Sequence, residues 1–149
     1  MLERLRYQPD PDSPGWLVRP QSDDDRFLDV YGPMRARAES PTLSRICLTP
    51  RPLHRNVVDT VHGGFLLAIV DHALFVGPAI QGRERVEGGA TIDVSAQFLA
   101  PMVPDKPIDV LVETLRETYR MVFVRGTIEQ DGVIAVAFSG TIKKASAAT

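Results

Sequence analysis

A single carboxylate stands inside an otherwise apolar stretch of the sequence. From Phe65 to Val76 (FLLAIVDHALFV) ten of the twelve residues are apolar, and the exceptions are Asp71 and His72. A carboxylate in such surroundings costs free energy unless a partner satisfies it. Asp71 is therefore either a structural acid bonded to neighbouring amides or an arginine, or a functional acid such as a general base. His72 is expected at the edge of the helix, facing solvent or a partner chain.

Two glycines precede this stretch, where a helix is expected to begin. Gly63 and Gly64 have no side chain, so a substrate can approach their backbone closely. The first amides of a helix lack an intrahelical acceptor, and the helix dipole favours negative charge there. This pattern is typical of a site that stabilises an oxyanion. A tight turn before the helix would also need such a pair, and His62 before it is more often a cap or packing residue.

The spacing of these features limits how they can cooperate. Gly63 and Asp71 are eight positions apart, which is about 12 Å along a helix axis. A general base must lie within about 3 Å of its reacting atom or of one bridging water. If both residues are catalytic, they should act on one carbonyl from different chains, with two antiparallel helices related by a two-fold axis.

The elements that position these residues follow from the apolar pattern. Length and composition predict a helix from Gly63 to Val76, which Gly77-Pro78 stops or kinks. Strand-like runs occupy residues 44–49, 89–99, 107–118, 121–130 and 133–143. Asp131-Gly132 is a strong hairpin signal between the last two runs. The prediction is one strand, a helix and a four-strand meander, which makes an α+β fold with a curved antiparallel sheet wrapped around a helix that must be surrounded.

The N-terminal part carries weaker signals. Residues 1–21 contain four prolines and are interpreted as an extended arm, with Trp16 as the anchor that packs it on the domain. Ser22 and the acids at 23–25 resemble a helix start. A short amphipathic helix follows, ending near Gly32-Pro33, with apolar residues at Phe27, Leu28, Val30, Tyr31 and Met34. The predicted division is an arm and short helix over residues 1–40 and one domain over residues 41–145.

Composition excludes several classes of function. The chain has 149 residues and a net charge of -2, so it has no general attraction for nucleic acid or for an anionic membrane. Its one cysteine, Cys47, allows no internal disulfide, and histidines 54, 62 and 72 lack metal-ligand spacing. No apolar run before Asp71 reaches membrane-spanning length. The expectation is a soluble cytoplasmic protein without a metal.

The sequence resembles a known family in three segments. The first is NVVDTVHGG at residues 56–64 followed by FLLAIVD at 65–71, and the others are ATIDVSAQFLAP at 90–101 and VAFSGTI at 136–142. Together they resemble the hotdog-fold acyl-CoA thioesterases of the PaaI-like branch, within the 4-hydroxybenzoyl-CoA thioesterase superfamily. The resemblance covers about residues 40–145. Position 59 departs from it, since it is Asp where many relatives have Gly.

The resemblance implies a role for each matching position. The Gly63 amide would polarise the thioester carbonyl, with Asn56 holding that carbonyl or the turn. Asp71 of the facing subunit would be base or nucleophile, and Thr91 would orient the attacking water. His62 would support the turn. Further candidates for substrate contact are Gly64, Phe65, Phe98 and Arg120, the last of these for the phosphates of coenzyme A.

The expected activity is hydrolysis of an aryl or medium-chain acyl-CoA. Coenzyme A is then part of the substrate and no separate cofactor is expected. The partners are the substrate and further copies of the chain, as a homodimer or a dimer of dimers with a shared site. Two alternatives stay open: a hotdog protein that binds acyl thioesters or another apolar ligand without hydrolysis, and a dehydratase or hydratase, which would need a His–acid pair in a different arrangement.

Overall fold

A computed structural model describes residues 2–22 and 26–146 of the chain, and this part folds into one long helix and eight strands. The helix, α1, is Gly63–Ile80. The strands are β1 Gln8–Pro9, β2 Leu17–Arg19, β3 Met34–Ala38, β4 Leu43–Leu48, β5 Ala90–Phe98, β6 Ile108–Glu117, β7 Met121–Gln130 and β8 Val133–Lys143. Two short 3-10 helices, Phe27–Tyr31 and Pro52–His54, precede α1.

The eight strands form one antiparallel sheet in the order β1-β2-β3-β4-β6-β7-β8-β5. The helix packs against β3, β4, β5, β6 and β8, so the sheet curves around it. Apolar side chains on the inner face of the sheet, including Val110, Val112 and Val124, are buried against the helix. The predicted α+β architecture is therefore confirmed.

The strands after the helix lie where the sequence predicts them, but their order differs in one respect. At the β7–β8 turn, Asp131 has φ 51° and Gly132 has φ 77°, as the hairpin signal requires. Strands β6, β7 and β8 form a meander, whereas β5 pairs with β8 and not with β6. The prediction of a four-strand meander was therefore wrong for β5. This strand lies at the edge of the sheet, and β6 pairs with β4 instead.

The N-terminal part contributes more to the sheet than its sequence suggested. Met34, predicted as part of an amphipathic helix, begins β3 and pairs with Leu48. Residues 34–38 read MRARA, a two-residue alternation that suits a strand with one buried face. The predicted helix shrinks to the 3-10 turn Phe27–Tyr31, and the acids at 23–25 lie outside the described residues. Trp16 does anchor the arm, since the guanidinium of Arg37 stacks 4.5 Å from its ring centre.

The helix continues through the dipeptide that was expected to stop or kink it. Gly77 is buried, and a Cβ at this position would lie 2.3 Å from Cγ1 of Val112. Glycine therefore lets α1 approach β6 closely. Pro78 lies within the last turn, so its missing N–H costs one intrahelical hydrogen bond and only two helical residues follow it. The Ser44 hydroxyl donates to the Gly77 carbonyl at 3.0 Å and holds this end on the sheet.

One stripe of the helix is open to solvent in the single chain. Ten residues of α1 are buried, but Gly64, Leu67 and Asp71 are exposed and follow one another at helical spacing. The expectation that the sheet surrounds the helix completely was wrong for one chain. By length and composition α1 could also cross a membrane. Its buried face is packed in the sheet, and the core helix of a soluble domain has the same composition.

Candidate functional site

The carboxylate of Asp71 lies on the open stripe of α1 and faces the edge strand β5. The Thr91 hydroxyl donates to Oδ1 of Asp71 at 2.6 Å. Within residues 2–22 and 26–146, Oδ2 of Asp71 accepts no hydrogen bond. The site thus holds one carboxylate oxygen in place and leaves the other for water, which suits a general base better than a structural acid. Sequence reasoning had identified both residues, and the fold brings them together.

The start of α1 leaves one backbone amide without an acceptor. Nδ1 of His62 accepts from the Gly64 amide at 2.9 Å, so His62 is the N-cap of the helix. The amides of Phe65 and Leu66 donate to the His62 carbonyl. Gly63 is the first helical residue, and its N–H has no acceptor in the described part of the chain. Of the two glycines, Gly63 alone thus keeps a free donor for an oxyanion.

Asn56 organises the loop before this turn. Its Oδ1 accepts from the amides of Val58 and Thr60, each at 3.0 Å, and its Nδ2 donates to the Thr60 hydroxyl at 2.8 Å. The side chain therefore holds the turn. Asp59, the position that departs from the family pattern, has φ 61°. Glycine is the usual residue in this left-handed region, and Asp also tolerates it, so Asp59 is compatible with the loop.

Gly63 and Asp71 do not meet within one chain. Both lie on the continuous helix α1, where eight residues separate them by about 12 Å. Phe98 lies at the Gly63 end of β5, and its Cε1 is 3.5 Å from the place of a Cβ on Gly63. Thr91, near the other end of β5, holds Asp71. One chain therefore presents two half-sites at different points along α1 and β5.

Two other predicted substrate contacts lie away from both half-sites. Phe65 is buried, and its ring stacks on His54 with 3.6 Å between ring centres. It therefore packs in the core and does not face the open stripe. Arg120 lies in the β6–β7 turn and lines a cationic cavity of about 360 Å³ beyond the Thr91 end of β5. The cavity also contains Arg85, Tyr119, Lys143 and Lys144.

This cationic cavity is partly pre-organised. The Arg85 guanidinium lies 4.6 Å from the centre of the Tyr119 ring and donates to the Tyr119 carbonyl at 2.6 Å. Lys144 pairs with Glu117. Arg120 and Lys143, by contrast, have no carboxylate partner among the described residues. Their free positive charges make the cavity suitable for phosphate groups.

The buried face of α1 carries a polar cluster that the sequence did not reveal. His72, expected at an exposed helix edge, is buried at 6% exposure and was placed wrongly. Its ring stacks on Tyr31 with 5.1 Å between centres, and its Nε2 lies 3.4 Å from the Tyr7 hydroxyl. Tyr31 also donates to the Ala68 carbonyl at 2.8 Å. Tyr7 and Tyr31 from the N-terminal residues thus pack on α1 at Ala68 and His72.

Burial makes the protonation of His72 costly, and a prediction follows. Desolvation, aided by the charge of Arg19, lowers the pKa of His72 from 6.5 to about 3. Between these values the unfolded chain binds a proton that the folded chain excludes. His72 therefore reduces the free energy of unfolding as pH falls below about 6.5, by about 1.4 kcal/mol per pH unit. His72→Phe removes this contribution. In urea unfolding, the free energy of unfolding of the variant should therefore fall less between pH 7 and pH 5 than that of the wild type. An equal decrease in the free energy of unfolding of both proteins would contradict a lowered pKa for His72.

Comparison with known proteins places this geometry in a family. The family described as the acyl-CoA thioesterase N-terminal domain matches residues 51–143. No curated protein sequence matches the chain. Among solved structures, a phenylacetic acid degradation protein PaaI from Thermus thermophilus is similar at TM-score 0.67 and 19% identity, covering 81% of this chain and all of the other.

Two further solved structures are similar to this chain. Zebra fish thioesterase superfamily member 2 matches at TM-score 0.69 and 18% identity, covering 84% of this chain and 91% of its own. A hypothetical thioesterase protein from Streptococcus pneumoniae, solved with coenzyme A, matches at TM-score 0.65 and 15% identity, covering 74% and 86%. These neighbours have the sheet-wrapped helix of the hotdog fold, and the family match includes Gly63, Asp71 and Thr91. The chain therefore belongs to the acyl-CoA thioesterase N-terminal domain family, a family of thioester hydrolases.

Proposed function

We propose that the chain hydrolyses an aryl or medium-chain acyl-CoA in a site shared between two subunits. The observation that carries this proposal is the exposed Asp71 carboxylate, bonded to Thr91, on a helix whose first amide, at Gly63, is unbonded. A thioester carbonyl is already electrophilic, so its hydrolysis needs an activated water and a donor for the oxyanion. These two features supply both requirements.

The reaction follows from these groups. The thioester carbonyl accepts a hydrogen bond from Gly63, and a water lies between the carbonyl carbon and Oδ2 of Asp71 of the second subunit. Asp71 takes a proton as the water oxygen bonds to the carbon, and the carbonyl oxygen becomes an oxyanion. The oxyanion then re-forms the C=O bond as the C–S bond breaks, and the protonated Asp71 gives its proton to the departing thiolate, which releases coenzyme A and the free acid. Thr91 keeps the carboxylate in position through the bond to Oδ1.

An edge strand with exposed apolar side chains supports the shared site. Strand β5 pairs only with β8 in the described chain, and Ile92, Val94 and Phe98 on it are 54%, 37% and 51% exposed. An unpaired apolar edge is a template for pairing with a second copy. A two-fold axis beside β5 would set both β5 strands and both helices antiparallel. The Phe98 end of one subunit then meets the Thr91 end of the other, so Gly63 faces the partner's Asp71.

The same arrangement suggests a site for coenzyme A. The cationic cavity with Arg120 and Lys143 lies beyond the Thr91 end of β5 and would receive the phosphates of coenzyme A. The structural neighbour from Streptococcus pneumoniae, solved with coenzyme A, supports a thioester of this carrier. We propose no further cofactor, no nucleic-acid or membrane partner, and action in the cytoplasm as a dimer or a dimer of dimers.

The test is release of free thiol from a panel of acyl- and aryl-CoA thioesters by the wild-type protein, with its oligomeric state measured in parallel. We expect turnover on apolar acyl groups by a protein that is at least dimeric. Tight binding of acyl-CoA without thiol release from any member of the panel would overturn hydrolysis and favour a carrier or sensor. Full activity in a monomer would overturn the shared site.

A further inference from the structure

An apolar cavity opens beside the free Gly63 amide. Its volume is about 380 Å³, within the range of small-molecule pockets. None of the described residues that line it carries a charge. Val61, Leu66 and Met102 are buried at its base, and Phe98 and Leu99 are exposed at its rim.

The apolar cavity and the cationic cavity lie at opposite ends of β5. Lys143 pairs with Ala90, whereas Phe98 pairs with Val136 at the opposite end of β5. The two ends are eight residues apart, or about 26 Å along an extended strand. The apolar cavity therefore adjoins Gly63, and the cations lie beyond Thr91. A ligand that bridges two antiparallel subunits at Gly63 meets an apolar cavity on one side and positive charge on the other.

We propose that the apolar cavity receives the acyl group of the substrate and restricts it to uncharged, apolar chains. This inference rests on the proposed function, since it assumes a thioester carbonyl at the Gly63 amide. The phosphates of coenzyme A take the cationic side, so the acyl group extends from the carbonyl toward Leu66 and Met102. The cavity thereby fixes the direction of the substrate through the site.

The lining also defines which acyl groups are rejected. An acyl chain that ends in a carboxylate would lose its hydration inside the cavity without finding a cation, so its binding there is strongly disfavoured. Differences of one methylene in an apolar pocket change kcat/KM by about 10- to 200-fold. Chain length and terminal charge should therefore both control the rate, and Leu66 and Leu99 should set the preferred length.

The first arm of the test changes the size of the cavity. Leu99→Trp narrows the rim at an exposed position, and Leu66→Ala enlarges the base. We expect the ratio of kcat/KM for octanoyl-CoA to that for butyryl-CoA to fall at least tenfold in Leu99→Trp and to rise in Leu66→Ala. Leu115→Trp, the same substitution at an exposed position outside the cavity, should leave the ratio unchanged. A ratio within twofold of wild type in both cavity variants would overturn the proposal.

The second arm tests charge with the wild-type protein and five-carbon substrates. Pentanoyl-CoA should be hydrolysed at least a hundredfold faster, in kcat/KM, than glutaryl-CoA, which has a carboxylate in place of the terminal methyl group. Equal rates on this pair would overturn the assignment of the cavity while hydrolysis itself stood. Absence of hydrolysis on every thioester would instead overturn the proposed function, so the two failures are distinguishable.

Discussion

We expect Asp71→Asn to lower kcat on acyl-CoA thioesters by about 10²- to 10⁴-fold, the usual contribution of a general base. Asparagine has the shape of aspartate and can still accept the hydrogen bond that Thr91 donates to Asp71. It cannot take a proton from water at neutral pH, so the chemical step loses its base while the geometry stays. Thiol release under saturating substrate measures this effect directly.

A matched control separates catalysis from folding. Asp131→Asn makes the same change in the exposed β7–β8 turn, at a residue with φ 51° that Asn tolerates as well as Asp. It should retain wild-type turnover. Both variants should unfold at nearly the same urea concentration as wild type. Wild-type kcat in a folded Asp71→Asn protein would show that another group activates the water.

Gly63→Pro removes the free amide and should lower kcat by about 10²- to 10³-fold, the usual cost of losing one oxyanion donor. Gly63 is the first residue of α1, a position where proline is favoured because its N–H makes no helical bond. The preceding residue, His62, has φ -64° and ψ 130°, which a following proline accepts. The helix should therefore form normally without the donor.

Gly63→Ala is the control for this change. It keeps the N–H, and its Cβ would lie 3.5 Å from Cε1 of Phe98, an ordinary contact. We expect kcat within a few-fold of wild type for alanine and a large loss for proline, measured by thiol release with the oligomeric state checked. Equal losses in the two variants would mean that space near Gly63, and not its N–H, governs the rate.

The sequence predicts the architecture well where local pattern and packing agree. The helix start at Gly63, β7, β8 and their hairpin follow from apolar periodicity and turn chemistry. The family resemblance identified Thr91 and Asp71 as candidates, and the fold brings them into a hydrogen bond. The predicted helix end at Val76 was wrong because Gly77-Pro78 usually stops or kinks a helix. In the structure α1 continues to Ile80, and Gly77 serves its close approach to Val112 on a distant strand.

Other features depend on contacts that no local pattern encodes. His72 looked like an exposed polar tip, yet Tyr7 and Tyr31 from the N-terminal residues cover it. The edge position of β5 follows from the pairing of β4 with β6, between strands far apart in sequence. The apolar cavity beside Gly63 likewise joins residues near position 61 to residues near position 100. Such long-range pairings are specified by the whole chain and not by any window of it.

The central claim is that Gly63 of one subunit and Asp71 of another act on the same thioester. Mixing the folded Asp71→Asn and Gly63→Pro proteins under conditions that exchange subunits tests it most directly. In a mixed dimer one shared site contains an intact Gly63 and an intact Asp71, so random exchange should restore about a quarter of wild-type turnover. If mass spectrometry shows mixed dimers but turnover stays at the level of the two parent variants, the shared site is contradicted.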